Sequence, residues 1–338
     1  MSSLKNVADL AGVSVATVSR VLNSDEVVKY ETKVKVMNAI KTLKYSPNRV
    51  AQRLRTTRKS SRLIGLLIPD IQNPFYVDVI RGIEVFAYAN NAAVVIGNFS
   101  QDEKKEKLYL DILKSESVDG FIVAPSNEKD IYIKELVKDG FPVVCIDRGL
   151  SDIEVDLVKV DNQKGAFNAI EHLIKLQHTR IGHITGNQLI PTTMERLAGY
   201  EQALKQYNIA IDPEIIVSRE SDYESGAELA AYLLDLENPP TAIFTGNNLL
   251  TLGALETINK RGLKIPEDIA IIGFDDVYWA NSLNPPLTAV RQPGFEIGKR
   301  AMELLIQRIL SPEREVASII YKTELMIRKS CGSKEKRL

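Results

Sequence analysis

The chain has 338 residues, of which 44% are hydrophobic and 26% charged, with a formal net charge of -1. These are the proportions of a soluble globular protein with room for two or three domains. No apolar run reaches the roughly 18 residues of a membrane helix, and MSSLKNVADL lacks the apolar core of a signal peptide, so a cytoplasmic protein without a membrane partner is expected.

The near-zero charge hides an asymmetry. Residues 1–60 carry 12 Lys or Arg against 4 Asp or Glu, a net of +8, whereas the rest carries 31 against 40, a net of -9. A basic module ahead of an acidic body points to a polyanionic partner for the first sixty residues. Cys145 and Cys331 form no Cys-x-x-Cys pair, so reduced thiols are expected rather than a disulfide framework or a zinc site. His172, His178 and His183 are spaced by six and five, which does not align them on one helix face as metal ligands. They read as helix-end and strand-edge histidines, and no metal or cofactor is expected.

In chain order, the spacing predicts a helix over about 5–11, ended by Gly12. Ser14 then caps a second helix, VATVSRVLN, and ETKVKVMNAIKTLKY makes a third, with Val34, Met37, Ile40 and Leu43 forming its buried face. On the second helix, 100° per residue gathers Val18, Val21 and Leu22 within one arc. Ala16, Ser19 and Arg20 fall opposite, flanked by Val15 and Thr17. Small residues, hydroxyls and one Arg suit a DNA groove, where Arg pairs with guanine and hydroxyls reach phosphate. The stretch SPNRVAQRLR follows, with Ser46 as cap and Pro47 at the first helical position. Its apolar stripe of Val50, Ala51 and Leu54 is too narrow to bury against a core, so this helix needs a partner to be stable.

From residue 62 the rhythm becomes apolar runs of strand length, RLIGLLIP, AAVVIGNF, DGFIVAP, PVVCID, IGHIT, TAIFTG and DIAIIGFD. Amphipathic stretches such as VDVIRGIEVFAYAN, GAFNAIEHLIKL, RLAGYEQALKQ and LTLGALETINKRG separate them. This alternation predicts an α/β fold of parallel sheets covered by helices, and its length calls for two stacked lobes. In open parallel sheets, ligands bind beyond the carboxyl ends of the strands. Those ends carry Asn73, Phe75 and Tyr76, then Asp147 and Arg148, then Asn247 and Asp275. Arg196 opens the helix near the end of IGHIT, and Gln292 lies in the crossing segment TAVRQP. Planar polar groups bond vicinal hydroxyls and aromatic rings cover an apolar ring face, which is how a sugar is held; the two arginines also leave room for the carboxylate of a sugar acid.

The segments NVADLAGVSVATVSRVLN and YSPNRVAQRLR, then IGLLIPDIQNPFY, ERLAGY, PTAIFTGNN, LGAL, IPEDIAIIGFDD and LTAVRQP, resemble the lactose and galactose repressor family of bacterial transcription regulators. The resemblance runs from about residue 4 to 330. It implies a homodimer whose second helices enter adjacent major grooves of a palindromic double-stranded operator. Val15, Ala16 and Arg20 fall where the family reads bases, and Ser14, Thr17, Ser19 and Asn23 where it touches phosphate. The family's hinge helix falls on residues 47–55, with Asn48, Arg49 and Ala51 at DNA-contacting positions and Leu54 as the minor-groove wedge. The implied organisation is a helix-turn-helix domain over 1–46, a hinge over 47–61, an N-terminal lobe of 62–160 plus 291–318, a C-terminal lobe of 161–290 plus 319–330, and a tail over 331–338.

The body is also similar to the periplasmic pentose and hexose binding proteins, and the nine cleft candidates fall on that group's ligand positions. Tyr223 or Ser221 falls where relatives place an aromatic over the sugar. Asn248 stands where the family usually has Asp, and Ile190 where the purine repressor has an Arg, which argues against a purine. The implied function is a repressor controlled by a small carbohydrate or sugar acid, with induction the expected sign. A regulator answering to a phosphorylated carrier protein is the alternative within the family. A transport-associated sugar-binding protein fits the body but not the +8 module. An enzyme is not expected, because no G-x-G-x-x-G, P-loop or G-x-S-x-G is present. The ending RKSCGSKEKRL has no apolar heptads for a tetramerising helix.

Overall fold

A computed structural model describes residues 4–22, 28–43 and 62–333. The chain divides into two compact units, Met1–Ser60 and Ser61–Leu338. In the first, helices α1 (Leu4–Ala11), α2 (Val15–Leu22) and α3 (Tyr30–Thr42) surround a small core of Val7, Ala8, Ala11, Val18, Val21, Val36 and Ala39. Gly12 ends α1 at φ +65°, a conformation that glycine adopts without steric cost, and lets the Val13 N–H reach the Ala8 carbonyl at 3.0 Å. The Ser14 hydroxyl accepts the Thr17 N–H at 3.1 Å, capping α2.

The buried face of α3 differs from the expected one. Val36 and Ala39 are buried, with Ile40 and Leu43 packed beside them, whereas Val34 and Met37 are 41% and 56% exposed. A strict i, i+3 series drifts by about 60° per step and spreads over half the helix, while positions 36, 39, 40 and 43 share one arc of about 100°. A core this small admits only the narrower stripe. Asn23 and the expected helical residues 44 and 45 lie outside the described residues, as does the whole of 46–61.

The second unit contains two six-stranded sheets. The first has strand order β11-β5-β4-β3-β1-β2 and is parallel throughout, built from β1 (Arg62–Ile68), β2 (Ala92–Asn98), β3 (Gly120–Val123), β4 (Val143–Ile146), β5 (Asp156–Val160) and β11 (Ser318–Tyr321). The second has order β12-β10-β9-β8-β6-β7, from β6 (Ile181–Thr185), β7 (Ile216–Ser218), β8 (Ala242–Thr245), β9 (Ala270–Phe274), β10 (Thr288–Arg291) and β12 (Glu324–Met326). Only its β10–β12 pair is antiparallel. The runs read as strands from their apolarity, GFIV, VVCI, IGHIT, AIFT and AIIGF, are buried at every residue. Helices cover both faces of a parallel sheet, so no position along such a strand is left for solvent.

The chain passes between the lobes three times. It leaves the first sheet after Val160, returns after Arg291, and crosses again after Tyr321. The last two passages are later than the sequence set them, at 290 and 318. Arg291 still pairs with Glu324 in the second sheet, and Ile319, Ile320 and Tyr321 pair with Val158, Lys159 and Val160 in the first. β11 is a half-exposed edge strand, so burial pattern alone does not mark its end.

Of the helices, α4 (Pro74–Ala89) lies against α11 (Gly294–Leu310), α7 (Asn162–Lys175) against α8 (Pro191–Gln206), and α9 (Tyr223–Leu234) against α10 (Asn248–Lys260). The α4–α11 contact is backbone to backbone. A Cβ on Gly298 would stand 2.0 Å from the Val79 carbonyl oxygen, and one on Gly82 2.0 Å from that of Phe295. The remaining helices, α5 (Glu103–Ser115) and α6 (Ile131–Lys138), flank the first sheet.

His183 is not at a strand edge. It sits in β6 between β7 and β8, fully buried, with the rings of Tyr200 and Phe244 at 5.0 and 4.9 Å. Its Nδ1 donates to the Phe244 carbonyl at 3.1 Å, and burial pushes the imidazole down to about 4 against that bond. His172 instead meets Cys331 and Ser333, and His178 meets Thr241.

Two outcomes are expected. Because His183 stays neutral when folded and takes a proton near pH 6.5 when unfolded, its contribution is complete above pH 6.5 and is lost as pH falls toward 4, by up to roughly 3 kcal/mol. Urea unfolding of wild type and His183→Phe across that range measures the difference, and parallel pH profiles would contradict it. Gly298→Ala should destabilise by about 1 to 3 kcal/mol through forced separation of α4 and α11, despite the better helix propensity of alanine; an unchanged urea midpoint would show that the helices can part freely.

Candidate effector cleft and nucleic-acid face

In the first unit, α2 turns Val18 and Val21 inward and exposes Val15, Ala16 and Arg20. Ser14 and Thr17 share a 2.9 Å hydroxyl contact at the start of this face, and Ser19 is half-buried at its side. Hydroxyls and main-chain N–H groups at a helix N-terminus suit phosphate, and one arginine beside small side chains suits a groove floor. Asn23, Asn48, Arg49, Ala51 and Leu54 lie outside the described residues.

The second unit holds a cleft of about 1010 Å³ at the carboxyl ends of both sheets. It is lined by Asn73, Phe75, Tyr76, Asp147, Arg148, Arg196, Asn247, Asp275 and Gln292, every one of them 9% exposed or less. Asn73 follows β1 and caps α4, its Oδ1 accepting the Phe75 N–H at 2.9 Å. This cap, with Pro74 behind it, sends Phe75 and Tyr76 into the cleft, with ring centroids 5.0 Å apart and edge to face. The Tyr76 hydroxyl donates to Asp147 at 3.1 Å. Burial, then the Asp147 carboxylate, push the Tyr76 phenol well above its usual value, so it remains a donor.

Asp147 and Asp275 each directly follow the third strand of their sheet, β4 and β9. Both adopt left-handed backbone angles, φ +66° and +72°, an arrangement that non-glycine residues hold only where the surroundings enforce it. Arg148 donates Nε to the Pro125 carbonyl and Nη2 to Gln101 at 3.4 Å. In the other lobe Arg196 donates Nε to Asn162 at 2.9 Å and Nη1 to the Gly246 carbonyl, stands 3.7 Å from Asp275, and lies 3.8 Å over the Phe274 ring. Burial raises the Asp275 carboxyl, while Arg196 and the Gln292 amide oppose that rise. Gln292 donates Nε2 to Asp275 at 2.6 Å, and since a carboxylate only accepts, its Oε1 is fixed as an acceptor, buried and without a partner. Asn247 caps α10 through the Leu250 N–H at 2.8 Å and donates to the Ser221 carbonyl at 2.9 Å.

Tyr223 does not join this group. It begins α9, its hydroxyl pairs with Glu256, and the cleft wall at that point is Ser221 and Asp222. The side chain of Asp222 accepts the Ser225 N–H at 2.8 Å, which starts the helix and turns Tyr223 away. Two supporting contacts were not expected from the sequence, one from Asn162 and one from Asn248, which the sequence marks only as standing in place of an Asp. Asn162 orients Arg196 and also donates to Glu195, while Asn248 donates to Asn73 Oδ1 at 2.9 Å, joining one lobe directly to the other. Both sit at helix starts after a strand, which is the signal that could have found them.

Residues 3–48 match the family model described as bacterial regulatory proteins, lacI family, and residues 170–331 that of a periplasmic binding protein-like domain. The chain is 36% identical over 330 residues to the HTH-type transcriptional repressor CytR of Escherichia coli (strain K12), spanning 97% of this chain and 96% of that protein. The lac repressor dimer bound to operator and the anti-inducer ONPF superposes with a TM-score of 0.79 at 26% identity, covering 98% of this chain and 99% of that one. A LacI family transcriptional regulator from Enterococcus faecium with bound ribose has a TM-score of 0.73 at 33% identity, over 80% and 98% of the two chains. No described helix is long and apolar enough to cross a membrane. With the relatives transcriptional repressors rather than enzymes and the likeness spanning nearly every residue, the chain belongs to the lacI family of bacterial regulatory proteins.

Proposed function

We propose that this protein is a cytoplasmic transcriptional repressor that binds a palindromic operator as a homodimer and releases it when a small carbohydrate occupies the cleft between its lobes. The observation that carries the reading is the cleft itself. Asparagine, aspartate, arginine and glutamine side chains from two sheets converge with two aromatic rings on one buried space, the equipment for binding hydroxyls on one edge and an apolar ring on the other. The operator-bound lac repressor dimer and the ribose-bound relative support the two halves of the proposal. Val15, Ala16 and Arg20 read bases, Ser14, Thr17, Ser19 and Asn23 hold phosphates, and Asn48, Arg49, Ala51 and Leu54 serve the minor groove. A ligand shifts operator affinity only by binding one arrangement of the lobes better than the other, a coupling of typically 1 to 3 kcal/mol.

Gel-shift titration with palindromic DNA from the neighbouring genomic region should show affinity falling by about 10³ to 10⁵ between 50 and 200 mM salt if each dimer neutralises six to ten phosphates. Absence of binding to any such palindrome would end the repressor reading. Arg196→Ala and Asp275→Asn should each keep operator affinity within a few-fold of wild type while abolishing release by sugar. A variant that still releases on sugar addition would move the effector elsewhere.

A further inference from the structure

The arginines of the cleft are already engaged. Arg148 and Arg196 each give Nε and one terminal nitrogen to protein oxygens, so neither keeps the free side-on edge with which a guanidinium grips a carboxylate. Asp147 and Asp275 balance their two charges in the depth of the cleft. Toward the solvent the wall adds Asp70, Glu103, Glu128, Glu220 and Asp222 against Lys129 alone. The whole lining therefore carries seven carboxyl groups and three cations. Of the helix starts at the cleft, those of α4 and α10 offer no anion site, because Asn73 and Asn247 fill their first N–H groups with their own carboxamides, while that of α8, behind Ile190, carries no side-chain cap. The buried Gln292 Oε1, meanwhile, needs a hydrogen, which a hydroxyl supplies and a carboxylate or phosphate group does not.

We infer that the effector is a neutral, polyhydroxylated molecule and that the cleft rejects sugar acids and sugar phosphates. The inference rests on the carbohydrate reading proposed above and narrows it. An anionic ligand would bring a further negative charge into a negative, partly desolvated space whose two buried arginines are already engaged and whose other cation, Lys129, stands exposed in the wall, whereas a neutral sugar places its hydroxyls on Gln292, Asp275 and the remaining arginine N–H groups.

The test uses the purified full-length protein in thermal-shift and calorimetric titrations at constant ionic strength. Matched probes are neutral pentoses and hexoses such as ribose and glucose, their aldonic acids, and their 5- or 6-phosphates. At least one neutral sugar should stabilise the protein, with its acid and phosphate binding tenfold or more weakly. The double variant Glu103→Gln, Glu220→Gln should narrow that gap several-fold, since both carboxylates face the cleft. An acid or phosphate that binds more tightly than its neutral parent overturns the inference and leaves the carbohydrate reading standing, and an unchanged gap in the variant overturns its electrostatic basis. Binding by none of the probes overturns the carbohydrate reading itself, and the inference with it.

Discussion

The Arg196 guanidinium holds the second lobe's half of the cleft together. It meets Asn162 at the start of α7, the Gly246 carbonyl beyond β8, Asp275 beyond β9 and the Phe274 ring, so strand ends and a helix start that the chain places far apart are tied to one planar cation. A buried charge must be paired and its N–H groups satisfied, and removing either member of such a pair leaves the other uncompensated. The positions of Asp275, and through it of Gln292, follow from that requirement. The first lobe meets the same need differently, with Tyr76 on Asp147 and the Pro125 carbonyl on Arg148.

The two lobes repeat one plan. Their sheets share strand order, their third strands end in aspartates with left-handed backbones, and helix starts beside the cleft are capped by Asn73 and Asn247. Parallel strands place all carboxyl ends at one edge, so two such sheets joined by three chain passages face each other there. Direct polar ties between the lobes include Asn73 with Asn248 and Lys159 with Glu195, at 2.9 and 2.6 Å. A ligand that bonds to both walls adds to these ties and so can change the balance between arrangements of the lobes. Within a lobe there is no such freedom, since α4 and α11 touch through the backbones at Gly82 and Gly298.

Much of the fold was legible because burial on both faces of a parallel sheet forces uninterrupted apolar runs, and RLIGLLIP, DGFIVAP, TAIFTG and DIAIIGFD are such runs. The cleft candidates were legible for a related reason, because residues directly after these runs must emerge at the ligand-binding edge. Edge strands were harder. β7 has three half-buried or exposed residues and β11 alternates, so neither stands out, and the last lobe boundary was placed too early. Tyr223 was misplaced because an aromatic near the right position says nothing about which way a helix start turns it, and here the Asp222 cap decides.

By itself, then, the sequence determined the order of the modules, the alternation that makes two parallel sheets, and the list of side chains at their carboxyl ends, because these follow from local periodicity and from where apolar runs stop. Tertiary structure alone decided which stripe of α3 is buried, that His183 lies stacked and neutral in mid-sheet, that Asn248 reaches Asn73 in the other lobe, and that the cleft's arginines are already spent on protein oxygens. Each of these depends on what a side chain meets across tens or hundreds of residues, where packing and the pairing of buried polar groups select one partner among many that the local pattern permits.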